Sequence, residues 1–149
     1  MEKASDTGDG IIAEAGSWTF DIPSAEAFNE HIAKSVPSYR ASHELIKDLS
    51  DYYIHDNSIV IDIGCSLGIL IEELNQRHRS KRNVTYIGIE SSQAMANHAE
   101  ERLENDEITI LNKDALDHTY SGISFGVMHY ILQFLSFSQR IALCKLVYD

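Results

Sequence analysis

Apolar residues along this chain follow two alternating rhythms. The run Ile59-Val60-Ile61-Asp62-Ile63 is apolar at all positions but one, which predicts a strand at 58–63 buried on both faces. It breaks at Gly64-Cys65-Ser66-Leu67-Gly68, after which Ile69, Leu70, Ile71 and Leu74 predict a helix at 67–78. The alternation continues with a strand at 84–89, a helix at 92–104, strands at 107–111 and 123–129, and a helix at 138–147. Such alternation builds an α/β domain: a parallel sheet with right-handed crossovers and helices on both faces. Ahead of the sheet, Phe28 and Ile32 lie one turn apart in a predicted helix at 25–33, which Pro37 and the restricted residue before it bring to an end. Leu45, Leu49 and Tyr52 or Tyr53 share the apolar face of a second helix at 41–54. The two helices would cap the site from above. Residues 1–17 are acidic, small and glycine-containing and read as a flexible acidic tail, so the domain is expected at 18–149, with cap helices at 25–54 and a half-sheet core at 58–149.

Chemistry concentrates where the strands end. Gly64 and Gly68 lack a Cβ, so backbone can approach a ligand closely at the start of the following helix. The spacing lacks the middle glycine of a dinucleotide fingerprint and the Lys-Ser/Thr pair of a P-loop, which argues against phosphate as the ligand. Glu90 ends the second strand about 20 residues on, the interval that one helix and one strand need. A carboxylate there can accept both hydrogen bonds of a ribose diol, and the next helix starts at Ser91 or Ser92. After the third strand, Asp114 can accept from an adenine amine while the neighbouring N–H of Ala115 meets a ring nitrogen. A turn-forming aspartate or the cap of a short helix is the alternative for Asp114. His129, at the end of the fourth strand, faces the crevice where strand order reverses, as a ligand contact, a base or a structural histidine.

Composition narrows the classes. Twelve basic against 23 acidic residues give a formal charge of −11, which disfavours direct binding to a nucleic-acid backbone. Cys65 and Cys144 suggest neither a disulfide framework nor a zinc site, and no other metal set stands out. The N-terminus has no apolar signal core and no run approaches the ~20 apolar residues of a membrane span, so a cytoplasmic protein is expected. The basic stretch from Arg77 to Asn83 is either a contact patch for an acidic partner or a set of solvated cations complementing a helix C-terminus.

The pattern Asp62-x-Gly64-Cys65-Ser66-x-Gly68 after an apolar strand resembles motif I of class I S-adenosylmethionine-dependent methyltransferases. Phe20-Asp21, Phe28-Asn29-Glu30-His31-Ile32, Lys34-Ser35-Val36-Pro37-Ser38-Tyr39, and Leu132-Gln133-Phe134-Leu135 with Arg140 and Leu143 are similar to the carboxy-S-adenosylmethionine synthase family. That resemblance implies a Rossmann-like fold and S-adenosyl-L-methionine as cofactor. It also implies prephenate as the small-molecule substrate, in a route that supplies a carboxymethyl donor for wobble-uridine modification of transfer RNA. Tyr39 would contact the methionyl end of the cofactor, with Gly64, Cys65 and Ser66 beneath it, Asp62 nearby and Gly68 closing the loop. Glu90 with Ser91 would hold the ribose, Asp114 with Ala115 the adenine, and His129 would sit across the crevice. No residue is singled out as catalytic. Three positions depart from the family pattern: Ser38 replaces glycine, Glu90 aspartate and His129 asparagine. The family's sheet, in the order 3-2-1-4-5-7-6, would stop here at its fourth strand for want of the C-terminal strands, leaving an edge for a homodimer or another partner to cover. Two functions stay open: a transferase of this type, or a shortened, catalytically inactive cofactor-binding or partner subunit.

Overall fold

The computed structural model describes residues 36–104 and 107–148, residues 32 and 34, and the strands at 5–6, 11–14 and 17–20. Those first strands, β1 (Ser5–Asp6), β2 (Ile11–Glu14) and β3 (Ser17–Phe20), form a small antiparallel sheet, with Ile11 opposite Phe20 and Glu14 opposite Ser17. This corrects the tail expected over 1–17. Ile11-Ile12 and Trp18-Thr19-Phe20 are β-branched or aromatic, residue types that favour extended pairing. The helix expected at 25–33 lies outside the described residues except for Ile32, which is helical.

The core is a four-stranded parallel sheet. Helix α1 (Tyr39–Ser50) precedes β4 (Ile59–Ile63), α2 (Ile69–Arg77), β5 (Thr85–Glu90), α3 (Gln93–Arg102), β6 (Ile108–Asn112), β7 (Phe125–Val127) and α4 (Phe137–Tyr148). Strand order is β6-β5-β4-β7, so the first strand of the sheet in sequence is central and the order reverses beside it. Asp62 lies opposite Gly88 on one side and Val127 on the other, and Glu90 lies opposite Asn112. Consequently the carboxyl ends of all four strands meet at one rim. β7 is shorter than the 123–129 expected, because the chain turns away at Tyr130, whose φ is 54°.

Period-two alternation along β4 feeds two cores. Val60 packs with Ile54, Leu70, Ile71, Leu74, Ala96 and Ala99, under α1 to α3. Ile61 and Ile63 pack on the other face with Ile89 and Leu143, which brings in α4 and the segment after β6. Leu74 is fully buried. Leu74→Ala should therefore cost about 2–5 kcal/mol, read as a lower urea midpoint at unchanged slope.

Helix α1 packs on a different face from the one its leucines suggested. Leu45 and Leu49 are 60% and 47% exposed, and Tyr52 and Tyr53 lie in the exposed turn that follows the helix. The inward face carries His43 and Ser50, both buried, with Ile46 packed on the core. Polar ties explain the orientation: His43 bonds Glu73 at 3.1 Å and Ser50 bonds His78 at 2.7 Å, both on or at the end of α2. Arg77 adds a clamp, donating through Nε and Nη2 to Asp51 at 2.8 and 2.6 Å and to Asp48 at 2.9 Å. Two cations of the 77–83 stretch thus form ion pairs at the surface, since the exposed Arg82 also pairs with Asp56 at 2.9 Å. Among the described residues no helix is long and apolar enough to cross a membrane.

Candidate functional site

The loop after β4 turns by placing alternate residues in the left-handed region. Gly64, Ser66 and Gly68 have φ of 76°, 53° and 70°, and Gly68 starts α2. Gly64 and Cys65 both donate their N–H to the carbonyl of Ile89, at 2.8 and 3.0 Å, which sews the loop to the end of β5. Glu90 completes the seam. Its Oε2 accepts the Ser66 N–H at 3.0 Å and its Oε1 accepts the Ser92 N–H at 2.8 Å, so one carboxylate joins the loop to the start of α3. Burial pushes the Glu90 carboxyl up, against those N–H bonds. From the other side Arg102 donates Nε to the Leu67 carbonyl at 3.0 Å and pairs with Glu72.

Asp62 sits beneath this loop, 2% exposed, its carboxyl without a hydrogen bond among the described residues. Burial first, and then the charge of Glu90, push its carboxyl up to about 7. Cys65 is buried beside it, and its thiol is pushed well above the ordinary range by burial and then by Asp62 and Glu90, so it is not a nucleophile. The Ser66 Oγ is buried without a partner among the described residues.

Over the rim stands an aromatic cluster. The Tyr39 ring lies 4.5 Å from His43, 5.5 Å from His129 and 6.1 Å from Tyr130 between centroids. Burial, then Asp62 and Glu73, push the Tyr39 hydroxyl up to about 12. Burial, then the charge of His43, push His129 down to about 4, so it is neutral at pH 7. The hydrogen bond from His43 holds Glu73 below the usual carboxylate range, and Lys47 adds to this from 3.6 Å.

A family profile described as a methyltransferase domain matches residues 60–149. The chain belongs to that methyltransferase-domain family. Its curated relatives include carboxy-S-adenosyl-L-methionine synthases from Staphylococcus epidermidis, 35% identical over 133 residues, and Yersinia enterocolitica, 30% identical over 142 residues. The matches cover 89% and 93% of this chain but 58% and 53% of those proteins, so the domain spans little more than half their length. Among solved structures, the plantazolicin methyltransferase BpumL, crystallised with a triazolic desmethylPZN analogue and SAH, is similar in fold at a TM-score of 0.64 and 16% identity. That match covers 83% of this chain and 46% of BpumL. The α/β parallel sheet expected from the strand pattern, in the methyltransferase-like form that the resemblance implied, is therefore the fold this chain has.

Within this methyltransferase domain the expected site residues separate into two groups. Asp62, Gly64, Cys65, Ser66, Gly68 and Glu90 form one connected unit, with Tyr39 and His129 above it in one ring cluster. Ser91 and Asp114 are exposed on the β5 and β6 side, and Ala115 follows Asp114. Asp114 caps the short 3-10 turn Ala115–Asp117, its Oδ1 accepting the Leu116 N–H at 2.9 Å, which is the cap geometry the sequence left open. The glycines also lie close to protein side chains. A Cβ on Gly64 would meet the Ile131 side chain at 2.2 Å, and one on Gly68 would meet Leu103 at 2.7 Å. Sequence reasoning missed Gly88, where a Cβ would meet Cys65 Sγ at 2.7 Å and Ile110 at 2.8 Å. A glycine inside an apolar strand was the available signal. It also missed Asn112, whose Nδ2 donates to the Glu90 carbonyl at 2.9 Å, and the pair His43 and Glu73, which no local pattern connects.

Proposed function

We propose that this chain binds S-adenosylmethionine across the rim, with the methionyl end under Tyr39 and His129 and the adenosine toward Glu90 and Asp114. The observation that carries the reading is the Glu90 carboxylate, which pins the glycine loop and the α3 start together at the end of the strand beside β4. Each of its oxygens receives one backbone N–H and keeps acceptor capacity for a ribose hydroxyl. The unpartnered Ser66 Oγ is a further polar atom beside that position. Around the methionyl end stand Asp62, Glu73 and the faces of Tyr39 and Tyr130, a set that favours positive charge.

When bound, S-adenosylmethionine supplies an electrophilic carbon on a sulfonium centre. The residues of this chain then act by placement: the loop and Glu90 fix the nucleoside, Tyr39 and His129 orient the other end, and burial of Asp62 strengthens its attraction for a cation once ionised. The finer reading is a transferase of the carboxy-S-adenosylmethionine synthase type, with prephenate as the small-molecule co-substrate. A second reading is a cofactor-binding subunit whose partner, or second copy, pairs with β7, a strand with a neighbour on one side only among the described residues.

A thermal-shift titration tests the cofactor. At about 100 times its dissociation constant, a ligand that binds only the folded chain adds about 2.7 kcal/mol of stability. The melting point is expected to rise with S-adenosylmethionine and to stay fixed with NAD; absence of any rise overturns the assignment. Turnover with and without prephenate separates the readings, because binding without turnover assigns the subunit.

A further inference from the structure

Ser42 has one hydroxyl proton and two neighbours within reach of it. Its Oγ lies 2.7 Å from the Tyr39 carbonyl oxygen, one turn back on α1, and a carbonyl can only accept. The same Oγ lies 2.8 Å from Nε2 of His129. With the proton on the Tyr39 carbonyl, Ser42 would accept from its other neighbour, and the hydrogen in that bond would belong to His129 Nε2. A neutral imidazole protonated on Nε2 keeps a lone pair on Nδ1. That Nδ1 has no hydrogen-bond partner among the described residues, and it is not among their buried side-chain atoms that lack a partner, which are His43 Nε2, Ser66 Oγ and the Tyr86 hydroxyl. It is open to a ligand.

The same arrangement recurs on α1, two turns further along. Ser50 donates to the Lys47 carbonyl at 2.6 Å and stands 2.7 Å from Nε2 of His78. His78 caps α2 at the end away from the glycine loop, remote from the rim. One serine thus fixes a histidine at the candidate site and its twin fixes one in the scaffold, which supplies an internal control.

We propose that Ser42 is a positioning residue that holds His129 as the Nε2–H tautomer, so that Nδ1 accepts a hydrogen bond from the ammonium group at the methionyl end of the ligand. The ligand half rests on the cofactor reading above; the tautomer half does not. Everything else facing the imidazole agrees with an acceptor role. Tyr39, Tyr130 and His43 crowd the ring, at centroid distances of 5.5, 4.3 and 5.1 Å, and no cation among the described residues pairs with it. A protonated imidazole would have no free lone pair and would repel an ammonium.

Nitrogen-15 NMR of the histidine rings in the ligand-free protein reads the tautomer directly, with signals assigned through His129→Gln and His78→Gln. Wild type is expected to show Nε2–H for His129, Ser42→Ala to show a mixture or Nδ1–H, and Ser42→Thr, which keeps the hydroxyl, to restore the wild-type pattern. Ser50→Ala should move His78 alone. In calorimetry, Ser42→Ala should weaken S-adenosylhomocysteine about tenfold, the scale of one hydrogen bond to a charged group, and leave 5′-methylthioadenosine unchanged, since that nucleoside lacks the amino-acid end. Wild-type His129 as Nδ1–H, or an unaltered tautomer in Ser42→Ala, overturns the proposal. Equal weakening of both ligands overturns the ammonium contact. If wild type binds neither ligand, the ligand half falls together with the cofactor reading, while the spectrum still decides the tautomer.

Discussion

Glu90→Ala is expected to weaken S-adenosylmethionine binding by about a hundredfold or more in isothermal titration calorimetry. The carboxylate accepts the Ser66 and Ser92 N–H groups, at 3.0 and 2.8 Å, and is placed to accept from the ligand as well. A hydrogen bond to an ionised group contributes about 1.5–3 kcal/mol, so losing the ligand contact, together with the cost of ordering a loop no longer held by its acceptor, reaches the ~2.7 kcal/mol of a hundredfold change. Ser66 has φ of 53°, a conformation a serine holds only when its surroundings impose it, and release of its N–H removes one of those constraints. Glu90→Gln should fall between the two. It keeps one acceptor oxygen but puts an amide donor against a backbone N–H. Affinity within threefold of wild type in Glu90→Ala would remove Glu90 from the site.

The second large effect concerns Asp62. Its carboxyl is pushed up to about 7 by burial and then by Glu90, so between about pH 4 and 7 the folded chain holds a proton that the unfolded chain releases. A raised carboxyl contributes stability that is fully present below the unfolded value and is lost as pH rises through 7. The loss is on the order of 4 kcal/mol by pH 8, the scale of a three-unit shift. Asp62→Asn carries no charge to bury, so it should be more stable than wild type at pH 8 and gain nothing at pH 4, measured by urea denaturation at both values. His129 and His78 act in the opposite sense, because their lowered values remove stability as pH falls below 6.5, and they titrate equally in both proteins. Affinity for the cationic ligand should move the other way. Wild type is expected to bind tighter as pH rises through 7, while Asp62→Asn should show no such rise. Identical pH profiles for the two proteins would mean that Asp62 does not titrate in this range.

These two acids illustrate how much of the site was legible from the chain. Asp62 and Glu90 were identifiable because an acid inside an apolar strand, and another at a strand end one helix and one strand later, have positions set by local periodicity. Asp114 was legible only as alternatives, since cap and ligand contact use the same oxygen chemistry, and its Oδ1 is in fact engaged with Leu116. The apolar stripe of α1 pointed the wrong way. Leu45 and Leu49 have the spacing of a core face, yet His43, Ile46 and Ser50 face inward, because Glu73 and His78 offer hydrogen bonds that solvate those polar groups as they are buried.

By itself the sequence determined the alternation of strands and helices, the glycine loop between Asp62 and α2, and the placement of Glu90 at the end of the neighbouring strand. These follow from short-range rules: apolar period, the backbone freedom of glycine, and the length of one crossover. Tertiary structure alone decided that a Cβ at Gly64, Gly68 or Gly88 would meet Ile131, Leu103 or Cys65, that His43 meets Glu73, and that Ser42 stands between the Tyr39 carbonyl and His129 Nε2. Each of these depends on residues distant in the chain meeting at hydrogen-bond or van der Waals distance, and no periodicity encodes which distant residues will meet.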